Sequence, residues 1–211
     1  MAGILDLLNS DLGKQIVSGV SGETGAPQNK TADVLSMALP VLMGAMQKNA
    51  SSSQGAAGLL NAVQGKHDGG ILDNLGSLFQ GGVDQSVKQD GEGILGHVLG
   101  SKQNMVQNAL SQKSGLDAGQ VGQILKVAAP ILMGVLGKQA RQNNVNDASG
   151  LTSMLGGLLG GGSGSKQQSL IESFLDADGD GSVIDDVAGM LLKGSGQKGG
   201  LGGMLGSLFG K

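Results

Sequence analysis

Three features of this 211-residue sequence predict an all-α, multihelical fold. Long segments recur at an offset of 90 residues, and the recurring segments are apolar at helical spacing. No stretch alternates β-branched and polar residues with the period of two that a half-buried strand requires. Composition fits the same picture. Forty-one glycines, three phenylalanines and no tryptophan or tyrosine leave Leu, Ile, Val, Met and Ala to fill a core around many small residues.

The recurrence lays Gly3–Ala50 on Gly93–Ala140 without a gap. Leu35-Ser36-Met37-Ala38-Leu39-Pro40-Val41-Leu42-Met43-Gly44 meets Leu125-Lys126-Val127-Ala128-Ala129-Pro130-Ile131-Leu132-Met133-Gly134, and Gly25 meets Gly115. Two inserted residues later, Gly58-Leu59 is expected on Gly150-Leu151. The arrangement predicts a first helical unit over 1–82 and a second over 91–159, packed as one domain, with Gly81-Gly82 and the polar stretch to Gly91 as the joint. A Gly/Ser linker over 160–165, a helix-loop-helix over 166–193 and a Gly/Leu-rich tail over 194–211 follow.

Within each unit one segment dominates. Leu35, Leu39, Leu42 and Met46 form a stripe, with Val34, Ala38, Val41 and Ala45 as a second beside it. The matching stripes are Leu125, Ala129, Leu132 and Leu136, and Ile124, Ala128, Ile131 and Val135. Two adjoining stripes predict helices buried over most of their circumference, each buried side chain contributing roughly 1.5–3 kcal/mol. Pro40 and Pro130 fall inside them, where either the helix kinks or one helix ends and another begins. Gly44 and Gly134 are expected to admit a crossing helix, and Met43 and Met133 to be core residues. Shorter Leu-rich pieces with glycine breaks cover Ile4–Leu12, Ile16–Val20, Gly58–Val63, Ile71–Phe79, Ile94–Leu99 and Met105–Leu110.

The doubled core, Ala38-Leu39-Pro40-Val41-Leu42-Met43-Gly44 and Ala128-Ala129-Pro130-Ile131-Leu132-Met133-Gly134, resembles the YidB-like family, a bacterial domain of unknown function. The resemblance covers about residues 1–160 and implies a multihelical bacterial protein with no established activity and no catalytic motif to carry over.

One motif specifies chemistry. Asp176-Ala177-Asp178-Gly179-Asp180-Gly181-Ser182 alternates carboxylates and then places glycine, the pattern of an EF-hand or dockerin-like calcium loop. Asp176, Asp178 and Asp180 would ligate through side chains and Ser182 through its carbonyl. Position 12, where an EF-hand carries a bidentate glutamate, is Val187, and the acids fall instead at Asp185 and Asp186. Those two also suit the first turn of an exiting helix, where the helix dipole favours negative charge. The expected cofactor is therefore Ca²⁺, bound weakly at ~10⁻⁴ M. Leu170, Ile171, Phe174 and Leu175 give the entering helix an apolar face, and Glu172 is expected at a solvated position.

Other chemistry is poorly provided for. The absence of cysteine removes thiolate sites and thiol nucleophiles. His67 and His97 lack a second ligand at helical spacing and are expected at the surface or an interface. A net charge of −3 and scarce aromatics argue against nucleic acid. Neither Val34–Gln47 nor Ala148–Ser165, where 11 of 18 residues are Gly or Ser, makes a spanning helix, and no export signal precedes Gly19. The sequence thus predicts a cytoplasmic, non-enzymatic structural or protein-interaction role, with a protein partner or self-association. The alternative is a membrane- or partner-associating module working through Gly/Leu segments. The tail Gly199–Lys211 carries the stripe Leu201, Met204, Leu205 and Leu208 and echoes Asn74–Gly81 and Met154–Gly161.

Overall fold

The computed structural model describes residues 4–160. The linker at 161–165, the calcium-type loop with Asp176, Asp178, Asp180, Ser182, Asp185 and Asp186, and the tail lie outside the described residues. Among the described residues every regular element is helical. In chain order these are α1 (Ile4–Asn9), α2 (Asp11–Thr24), α3 (Gln28–Ala50), α4 (Ser53–Gln64), α5 (Gly70–Asp73), α6 (Leu75–Phe79) and α7 (Gln85–Leu99). After a 3-10 turn at Gly100–Lys102 come α8 (Gln103–Ser114), α9 (Ala118–Gln142) and α10 (Ala148–Gly160).

All sixteen residues of the four predicted stripes are buried, as are Met43 and Met133. They place α3 and α9 at the centre, packed on each other. Both helices run through their prolines. The flanking helices cross over: α2 packs on α3 and α9, α8 on α9 and α3, α4 on both, and α10 on α3 and α4. Each half therefore helps to enclose the central helix of the other.

Capping explains where the helices begin. Ser10, Ser52, Asp117 and Asp147 each accept a hydrogen bond from the backbone N–H three residues on, at Gly13, Gly55, Gln120 and Gly150. The turns entering α3 and α9 match at the 90-residue offset. Gly25 (φ 68°) and Gly115 (φ 72°) end α2 and α8 in the left-handed region. Ser21 Oγ donates to the Ala26 carbonyl at 2.7 Å, and Ser111 Oγ to Leu116 at 2.6 Å. Thr24 Oγ1 donates to Val20 at 2.8 Å and Ser114 Oγ to Leu110 at 2.7 Å.

Two expectations are corrected. The polar stretch from Gln85 to Gly91 is not part of the joint, because α7 starts at Gln85 and carries it as helix along α9; the break is confined to residues 80–84, with Gly81 and Gly82 at positive φ. The pairing of Gly58-Leu59 with Gly150-Leu151 also shifts. Caps at Ser52 and Asp147, and buried faces Ala56 and Val63 against Leu151 and Leu158, align α4 with α10 at an offset of 95. The extra residues lengthen α9 by two beyond the end of α3 and widen the turn that follows, which includes Asn144 at φ 54°.

Candidate functional site

α7 positions the principal polar site. It packs more extensively on α9 than any other helix does, and its outer face meets the end of α2. An open cleft of about 320 Å³ lies there, lined by Glu23 and Thr24 of α2, Gln85, Lys88, Gln89 and Glu92 of α7, and Gln123 and Lys126 of α9.

Its charges are matched. Glu23 pairs with Lys88, and its Oε2 accepts the Val83 N–H at 2.7 Å. Lys126 pairs with Glu92 at 3.2 Å. Burial alone would raise the Glu23 pKa. The hydrogen bond from Lys88, the Val83 N–H and the charge of Lys88 outweigh it and hold the carboxyl below its ordinary value. Glu23 is thus an anion that ties the end of α2 to the start of α7. Thr24, the one hydroxyl in the lining, already donates to Val20. The cleft offers three glutamine amides and two ion pairs, suited to binding polar groups and without a hydroxyl poised beside a base.

A second polar cluster holds the strap between α4 and α6 onto α9. Asp90 of α7 receives Lys66 at 2.5 Å and lies 3.6 Å from His67 Nε2. Arg141 donates to Asp68 at 3.1 Å, and Lys138 lies 3.7 Å from Asp73. His67 is 8% exposed, so of the two settings expected for it, surface or interface, the surface is excluded. Its backbone N–H bonds to Ala62, and its carbonyl sits against Gly137, so the turn after α4 drives the ring inward. Burial lowers the His67 pKa against the opposing pull of Asp90. His97 is exposed as expected, with Nδ1 2.8 Å from the Gly93 carbonyl of its own helix.

Close backbone approaches hold both clusters. A Cβ added to Gly91 would overlap the Lys126 carbonyl oxygen, and one on Gly137 the His67 carbonyl. A Cβ on Gly134 would strike Ile71, which is the close approach expected at that glycine, made by α5. Pro130 accounts for the first seat. It has no N–H to give the Lys126 carbonyl, and Gly91 fills the space beside that oxygen. Gly91 and Gly137 carry no sequence signal beyond being glycines within or beside apolar helices.

Among the described residues no group of three or more His, Asp or Glu is placed to hold a metal. One described helix, α9, is long and apolar enough to cross a bilayer, and 78% of that apolar window is buried inside this protein's own fold. A family model described as "Bacterial protein of unknown function (DUF937)" matches residues 6–139, from α1 to the last turn of α9. No curated protein and no solved structure matches the chain.

Proposed function

This chain belongs to the DUF937 family of bacterial proteins of unknown function, and we propose that it is a non-enzymatic helical scaffold with a protein-interaction role. The observation that carries the proposal is the charge matching of the one polar cleft described above. Its lysines and glutamates are engaged with each other and hold α2, α7 and α9 together. The paired Pro40 and Pro130 segments support placing it among YidB-like proteins, with α2–α3 and α8–α9 as two copies of one unit. In this proposal the protein is cytoplasmic, and it binds a protein partner or a second copy of itself.

The same proposal gives Asp176, Asp178, Asp180 and Ser182, together with the acids at Asp185 and Asp186, to a weakly bound calcium ion. Supporting it is electrostatics: five acids within eleven residues repel one another until a cation joins them. Calcium would brace the segment after the helical domain. At a hundredfold excess over Kd it would add about 2.7 kcal/mol to whatever it binds only when folded. Calorimetric titration should show saturable heat at millimolar calcium, abolished in Asp178→Ala and Asp180→Ala. No heat in the parent, or equal heat in all three proteins, would remove calcium from the proposal. Sedimentation of the full chain with and without calcium tests the assembly role: a monomer that captures no protein in either condition removes it.

A further inference from the structure

We infer that the α3–α4 groove filled by α10 is a docking seat that the C-terminal segment 201–210 also fits, so that two segments of one chain compete for it. The inference goes beyond the scaffold proposal and is independent of calcium.

The sequence of α10 explains the match. Its last ten residues read Leu151-Thr152-Ser153-Met154-Leu155-Gly156-Gly157-Leu158-Leu159-Gly160. The tail reads Leu201-Gly202-Gly203-Met204-Leu205-Gly206-Ser207-Leu208-Phe209-Gly210. Six of the ten positions are identical at an offset of 50. The identities follow burial. Leu151, Met154, Leu155, Leu158 and Leu159 are the buried residues of α10, and the tail repeats four of them and substitutes Phe for the fifth. The remaining differences fall at positions 152, 153 and 157, which α10 leaves half-buried or exposed.

Glycine content is no obstacle to docking. Each Gly costs a helix nearly 1 kcal/mol relative to Ala, yet α10 is helical with Gly150, Gly156 and Gly157 because it is packed on α3 and α4. At Gly156 the groove holds the Gln47 side chain, 3.5 Å from where a Cβ would lie. Gly206 reproduces that glycine in the tail. Both segments lie beyond residue 139, where the family match ends. The forty residues between them give ample reach and an effective concentration on the order of millimolar.

A second seat is less well matched. Leu75-Gly76-Ser77-Leu78-Phe79 of α6 shares its five residues with the tail and packs Phe79 on Gly19 of α2. Asn74 stands there where α10 and the tail both have Met, so the α3–α4 groove is the better fit.

The test is a coupled substitution in the full chain, which has no cysteine of its own. Leu205→Asp should leave the melting temperature of the parent almost unchanged, because α10 holds the seat. In a Leu155→Asp background the same change should lower it by about 5 °C or more. If Leu155→Asp does not fold, Leu155→Ala serves as the weaker displacement. A Gln47→Cys, Gly206→Cys pair should then crosslink within one chain under oxidation, with a yield that rises several-fold when Leu155 is replaced. Additive melting shifts with no crosslink would overturn the inference, and so would crosslinks formed only between chains.

Discussion

Pro40 of α3 is half-buried, whereas Pro130, at the matching point of α9, is buried. Met37 is partly exposed, and its counterpart Val127 is 1% exposed. Gln47 extends a side chain toward α10, and its counterpart Gly137 receives the backbone of His67. Two segments with nearly the same stripes therefore reach different degrees of enclosure. The apolar stripes make each helix a core element. What completes the enclosure of α9 is the set of glycines that let α7 and the strap of residues 65–73 touch it backbone to backbone. Close packing of this kind tolerates no added atom.

The sharpest way to break the comparison is to add one methyl at each seat. Gly91→Ala and Gly137→Ala each drive a Cβ into a backbone carbonyl oxygen and should each lower stability by about 3 kcal/mol. Gly93, two residues after Gly91 on the same α7, meets nothing within 4 Å, so Gly93→Ala should gain about 0.5–1 kcal/mol from helix propensity. Urea midpoints of the three variants measure the contrast. If Gly91→Ala behaves like Gly93→Ala, the backbone seat does not control the packing of α7 on α9.

A smaller effect separates the starts of the same two helices. Thr31 of α3 is fully buried, and its hydroxyl has no hydrogen-bond partner. The matching residue of α9 is Val121, equally buried and nearly the same shape. An unpaired buried hydroxyl costs about 1–3 kcal/mol on mutational scales. Thr31→Val should therefore raise stability by about 1 kcal/mol, and Val121→Thr should lower it by at least as much. A Thr31→Val protein less stable than the parent would mean that the hydroxyl is satisfied.

These differences mark what could be read in the chain and what could not. Helical periodicity reports which face of a segment is apolar, and it placed α3 and α9 with every stripe residue buried. It says nothing about a glycine that a neighbour's carbonyl approaches, since a missing side chain has no period. That is why Gly91, Gly137 and the inward turn of His67 escaped notice. The start of α7 was missed because Gln85–Glu92 is polar with Val87 as its one large apolar residue, and its helicity comes from lying along α9. The α4–α10 register was misplaced because two glycine-leucine pairs matched locally, while the caps at Ser52 and Asp147 set the true start of each helix. The calcium-type spacing of Asp176–Ser182 lies outside the described residues. The Glu23–Lys88 cleft joins residues far apart in sequence with no shared motif.

The smallest effect tests electrostatics where the halves differ outright. Glu23 of α2 corresponds to Lys113 of α8, so the anion that clamps α2 to α7 has no acidic equivalent at that position in the other half. Its folded pKa lies below the ordinary 4.5, so as pH falls the unfolded chain takes up a proton at this group first. The stabilisation is present above the unfolded carboxylate pKa and is lost as pH falls through the lower folded value. His67 acts in the same direction from a higher starting point. Burial depresses it below 6.5, so stability should begin to fall as pH drops through that region, before Glu23 contributes. Urea midpoints between pH 8 and pH 3 should thus decline in two stages. Glu23→Gln should lower the neutral-pH plateau and flatten the lower stage, and His67→Gln should flatten the upper one. A Glu23→Gln protein with the parent's full acid decline would show that the clamp on α7 rests on packing at Gly91 and not on the ion pair.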